Sequence, residues 1–151
     1  MSDLAAPHIL ALNAYEPGKP EAELRRELGI AQIVKLASNE NPYGPSPRAT
    51  DAVSGAALDL HRYPDPRGYE LRAALAAHHG VSADELCLGN GSNELIDLIC
   101  RVFASPAEHV VFGHPSFPCY RIGSVAQQLD YTAVPLREHV HWNVDDLIAA
   151  V

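Results

Sequence analysis

From Leu86 onward, short apolar runs alternate with helix-patterned stretches, and that alternation leaves few possible folds. Leu86-Cys87-Leu88 precedes a helical pattern over 92–103, and Val110-Val111-Phe112 precedes another over 117–128. Residues 131–134 then read as a third strand, followed by a helix over 144–151 with Asn143 as its N-cap. This succession implies parallel strands joined by crossover helices. The 92–103 pattern is the clearest: Leu95, Leu98, Ile99 and Val102 recur at helical spacing, with Ile96 and Phe103 widening the stripe. Glu94 and Asp97 fall in its first turns, where carboxylates favour the positive end of the helix dipole.

The stretch 1–48 is of a different kind. Pro7, Pro17, Pro20, Pro42, Pro45 and Pro47 permit only short elements there. A brief helix over 21–28 closed by Gly29 and a strand over 34–37 fit between them. We expect 1–48 to be an arm packing on something else, and 49–151 to carry the regular domain. Within that domain, helices are expected over 48–60 and over 69–79, the second capped by Gly80. A single turn follows at Ser82-Ala83-Asp84-Glu85.

Composition narrows the class. The formal net charge is −8, which argues against a nucleic-acid surface or a polybasic membrane binder. Cys87, Cys100 and Cys119 have no C-x-x-C spacing, so neither a disulfide framework nor a zinc site is expected. No basic segment followed by an apolar run opens the sequence, and no apolar stretch is long enough to span a bilayer. A cytoplasmic protein fits these features.

Gly89-Asn90-Gly91-Ser92-Asn93-Glu94 lies where a strand should hand over to the strongest helix. Free N–H groups and the helix dipole suit such a junction to a phosphate, while the glycines allow positive φ and Ser92 adds a hydroxyl. A plain tight turn explains the same residues equally well. A dinucleotide fingerprint fits less well, because Glu94 stands where its third glycine belongs and no acidic residue ends the second strand; a P-loop fails because no Gly-Lys-Ser/Thr occurs. Phe117, after the second strand in Gly113-His114-Pro115-Ser116-Phe117-Pro118, could offer its ring face to a planar group or could simply be core. Tyr63 carries a donor hydroxyl in a proline-flanked loop. The histidines, His78-His79 and His139 with His141 among them, form no metal motif and read as surface residues.

Together these segments resemble the amino-terminal part of the histidinol-phosphate aminotransferases, which are fold-type I pyridoxal-phosphate enzymes. The resemblance rests on Tyr15-Glu16-Pro17-Gly18-Lys19-Pro20 and the run from Lys35 to Pro47 with Asn39-Glu40-Asn41-Pro42 inside it. It continues through Arg62-Tyr63-Pro64-Asp65, the glycine loop and His114-Pro115-Ser116-Phe117. It implies a three-layer α/β large domain preceded by an extended arm. It also implies that Gly91, Ser92 and Asn93 hold the cofactor phosphate and that Phe117 stacks on the pyridine ring. Tyr63 would reach across a homodimer to the partner's phosphate, and Tyr15 and Asn39 would stand near the substrate.

A pyridoxal enzyme also needs a Schiff-base lysine and an acid at the pyridine nitrogen. The only lysines are Lys19 and Lys35, both in the arm, where the resemblance implies no such role. No catalytic residue is therefore expected within these residues, which read as the first portion of an enzyme and as inactive by themselves. Amino transfer from glutamate to imidazole-acetol phosphate is the implied reaction. Another class I or II aminotransferase, acting on an aromatic or phosphorylated amino acid, is the nearest alternative. A non-catalytic phosphate-binding fragment is the next.

Overall fold

The computed structural model describes residues 4–36, 38–138 and 140–151. Expectations touching Met1, Ser2, Asp3, Ala37 and His139 lie outside the described residues. The fold is α/β, with seven α-helices and two strands among the described residues. They form two compact units, 1–15 with 84–151 and 16–83. The boundary expected at 48/49 concerns the domains of a whole enzyme, whereas these units describe this stretch alone.

The first unit is built on a parallel pair. Strand β1 (His109–His114) pairs with β2 (Asp130–Pro135) in the register His109 to Asp130 through His114 to Pro135. The connection between them contains helix α6 (Cys119–Ala126). Both strands run longer than their apolar centres because the ladder extends into flanking polar residues. Helix α6 starts two residues later than expected, behind Pro118, whose carbonyl accepts the Ile122 N–H at 3.1 Å. Gln128, at φ +57, turns the chain out of it. Phe117 therefore belongs to a loop rather than to a helix.

Helix α5 (Gly91–Phe103) packs against α6. Gly123 faces α5: a Cβ there would stand 3.5 Å, an ordinary contact distance, from both Cys100 Sγ and Ile96 Cγ2. The buried face of α5 is consequently centred on Ile96 and Cys100. Ile99, Val102 and Phe103, expected in the apolar stripe, are instead exposed. The period identified the helix correctly, but the neighbour decides which side is covered. Helix α1 (Pro7–Leu10), which the proline-rich reading did not anticipate, packs on α6 as well. Helix α7 (Val144–Ala149) starts at Asn143, whose side chain accepts the Asp146 N–H as expected.

Two expected strands are absent as strands. Residues 86–88 join no ladder among the described residues; Leu86 and Leu88 are half-buried and Cys87 is exposed. In 34–36, Val34 and Leu36 are almost fully exposed. A β-strand exists only through a partner that takes its N–H and C=O groups, and local apolar character cannot supply one.

The second unit carries helices whose ends are set by local chemistry. Helix α2 (Glu21–Leu28) ends at Gly29, φ +66, and α4 (Tyr69–His79) ends at Gly80, φ +68, both as expected. Helix α3 (Pro47–Ala56) begins behind Ser46, whose hydroxyl accepts the Ala49 N–H at 3.2 Å, and runs on into a 3-10 turn at Ala57–Asp59. The 3-10 turn at Ala83–Glu85 matches the single turn expected there.

Candidate active site

The glycine loop lies at the amino end of α5. Gly91 sits at φ +75, and a Cβ on it would meet open space. Its N–H donates to the Gly89 carbonyl at 2.8 Å, while the Asn90 N–H donates to the Glu94 carboxylate. Ser92 and Asn93 follow as exposed residues of the first turn, where helical N–H groups lack intrahelical acceptors. A donor-rich turn at a helix start is suited to an anion.

A cleft of about 460 Å³ opens between this end of α5 and helix α6, bordered by Asn90, Asn93 and Glu94 on one side and by Cys119 and Gly123 on the other. Asp97 borders it too, but is tied up by Arg101 Nε at 2.8 Å and Gln127 Nε2 at 3.2 Å. Cys119 is a neutral wall, since burial pushes its thiol above the ordinary range. Phe117 stands two residues before Cys119. Its half-buried ring meets Tyr15 edge-on at 5.6 Å and Tyr120 at 6.4 Å. Of the residues singled out from sequence, Gly91, Ser92 and Asn93 thus share one helix end, and Tyr15 and Phe117 touch.

Tyr63 and Asn39 belong to the second unit. The Tyr63 ring is wholly exposed, and Asn39 is exposed as well. The loop bearing Tyr63 is fixed by Asp65, whose carboxylate accepts the Arg67 N–H at 2.9 Å and the Tyr69 N–H at 2.7 Å. Those two bonds hold its pKa below the ordinary value. Asp65 therefore ties the loop to the first turn of α4. The sequence signal for this role is an aspartate opening a turn ahead of a helix, the pattern of an Asx turn. Beyond Asn39, Asn41 closes another turn by accepting the Tyr43 N–H at 3.1 Å and donating to the Gly44 carbonyl at 2.9 Å.

Both lysines are in ion pairs: Lys19 with Glu23 at 3.6 Å and with Glu27, and Lys35 with Glu40 at 2.6 Å. Among the described residues no group of three or more His, Cys, Asp or Glu side chains could hold a metal ion. No helix among them is long and apolar enough to cross a membrane.

Comparison with known proteins decides the family. The model for "Aminotransferase class I and II" matches residues 31–151. The chain belongs to the class I and II aminotransferases. Among curated members of this family, it is 46% identical to histidinol-phosphate aminotransferase 1 of Thiobacillus denitrificans, over 91% of this chain and 36% of that protein. It is 44% identical to histidinol-phosphate aminotransferase 2 of Pseudomonas aeruginosa, over 100% of this chain and 42% of that protein. The chain therefore spans well under half the length of these relatives. A crystal structure of histidinol-phosphate aminotransferase from Sinorhizobium meliloti, in complex with pyridoxal-5'-phosphate, superposes with a TM-score of 0.82 at 27% identity. That match covers 98% of this chain and 39% of the other. The aminotransferase fold and the parallel α/β reading agree.

Proposed function

We propose that these residues form the cofactor-holding amino-terminal portion of a pyridoxal-phosphate enzyme, a histidinol-phosphate aminotransferase. On this reading the enzyme moves an amino group from glutamate to imidazole-acetol phosphate in histidine biosynthesis, as a cytoplasmic homodimer. The observation carrying the proposal is the glycine turn at the start of α5, in a chain whose relatives bear that enzyme's name. The donor set fits a phosphate monoester: a positive-φ glycine, a helix start and the Ser92 hydroxyl. The half-buried Phe117 ring fits a planar heteroaromatic.

Bound pyridoxal phosphate supplies the carbonyl and the electron sink for amino transfer. Ser92 and Asn93 would anchor its phosphate, with the positive φ of Gly91 shaping the turn that presents them, and Phe117 would orient its ring and keep water off that face. Tyr15, resting on Phe117, is positioned to border the substrate. Asn39 is a second substrate contact, and the exposed Tyr63 is offered to the partner's phosphate. Neither Lys19 nor Lys35 takes a catalytic part, which is consistent with their ion pairs to Glu23, Glu27 and Glu40.

The test is to assay the whole protein containing this chain with glutamate and either imidazole-acetol phosphate or an aromatic 2-oxo acid. Preference for the phosphorylated imidazole supports the assignment, and preference for the aromatic acid replaces it with the wider class. Ser92→Ala should weaken pyridoxal-phosphate binding about tenfold, the value of one hydrogen bond to a charged group. Unchanged affinity would remove Ser92 from the phosphate site.

A further inference from the structure

An acid closes the glycine loop. The Glu94 carboxylate accepts the Asn90 N–H through Oε2, and that oxygen would stand 3.0 Å from a Cβ on Gly89. With the Gly91 N–H turned to the Gly89 carbonyl, two loop donors are engaged inside the loop itself. The donors left at the front of α5 are those of Ser92 and Asn93, aimed by the positive φ of Gly91. Glu94 also borders the cleft beside Asn93, so its charge lies near the position proposed for the phosphate. By charge alone it opposes an anion there. By geometry it supports one, because releasing Asn90 frees the turn that sets the direction of the Ser92 and Asn93 N–H groups.

The geometry points to Glu94 as a positioning residue that presets the phosphate loop. This rests on the pyridoxal-phosphate reading above. The two influences of Glu94 have opposite signs, and two variants separate them. Glu94→Gln keeps an oxygen acceptor for Asn90 and removes the charge, whereas Glu94→Ala removes both. The side chain is exposed, so neither substitution opens a core cavity.

The experiment titrates pyridoxal phosphate and pyridoxal, which lacks the phosphate, into the whole protein and each variant. Glu94→Ala should lower affinity for pyridoxal phosphate about tenfold, the scale of a charged hydrogen bond, while pyridoxal affinity holds. Glu94→Gln should bind pyridoxal phosphate at least as well as the unaltered protein, with a gain of up to about threefold from relieved repulsion. Unchanged or tighter binding by Glu94→Ala overturns the inference. So does an equal loss for both ligands, which marks a general structural defect. If the unaltered protein shows no preference for pyridoxal phosphate over pyridoxal, the phosphate reading fails and this inference fails with it.

Discussion

The Tyr15 ring meets the Phe117 ring edge-on, with centroids 5.6 Å apart and planes at 75°. Tyr120 meets the same Phe117 ring at 88°. Tyr120 in turn stacks on Phe112 of β1, and Phe112 on Tyr131 of β2. Phe117 sits in a loop, yet its ring is held edge-on both by an aromatic column rooted in the sheet and by Tyr15 of the amino-terminal segment. That is the rigidity a stacking partner for a cofactor ring requires.

Removing the ring should therefore affect cofactor binding beyond its own contact. Phe117→Leu is expected to weaken pyridoxal-phosphate affinity by about 1 kcal/mol, roughly fivefold, and Phe117→Tyr to preserve it. Tyr15→Leu should give a smaller loss, and the double variant less than the sum, because both act through one ring. Titration of the four proteins in a double-mutant cycle checks this. Strict additivity would uncouple Tyr15 from Phe117.

Asp65 predicts an acid-sensitive helix start. Its folded pKa is depressed by the bonds from Tyr69 and Arg67. Its stabilisation is thus complete above the unfolded carboxylate value, near about 3.9, and is lost as pH falls through the lower folded value. Amide exchange at Arg67 and Tyr69, followed by NMR, should be faster in Asp65→Ala than in the parent at pH 6. The difference should shrink as the pH drops below the folded pKa. A difference independent of pH would mean that the carboxylate charge is irrelevant to the loop.

The features read correctly from sequence are those that local chemistry determines. Gly29 and Gly80 end their helices because a left-handed cap needs no distant partner, and the 92–103 period survives as α5. The glycine loop was recognisable for the same reason. Residues 86–88 and the covered side of α5 were not, since a ladder and a packing face are decided by segments far off in sequence. Ile99 and Val102 are as apolar as Ile96, but only Ile96 has Gly123 opposite it. The Tyr15–Phe117 contact is equally beyond local pattern: the resemblance implies one site for both, but not that their rings touch.

Gly91 should tolerate a side chain sterically but not conformationally. A Cβ would meet no atom, yet φ +75 is a region that L-residues occupy at a cost of about 1–2 kcal/mol. Gly91→Ala is expected to lose that much stability in denaturant unfolding and to bind pyridoxal phosphate more weakly. Gly91→Asn, which enters the left-handed region more readily, should recover part of both. Equal behaviour of Ala and Asn at this position would show that φ is not what matters.

Gly113 and Gly123 make opposite predictions. A Cβ on Gly113 would stand 2.2 Å from Trp142 Cζ3 and 3.0 Å from Leu136 Cδ2, so the indole would have to leave the end of β1. Gly113→Ala should cost about 1–3 kcal/mol, the usual penalty for overpacking. Adding Trp142→Ala should recover most of it. On Gly123 the nearest atoms lie at 3.5 Å, an ordinary contact, and the residue is inside a helix. Gly123→Ala should therefore be neutral or stabilising by up to about 1 kcal/mol through helix propensity. Urea unfolding of the three variants measures both. A destabilised Gly123→Ala would mean that α5 and α6 pack more tightly than 3.5 Å allows, and an unperturbed Gly113→Ala would place the Trp142 ring away from β1.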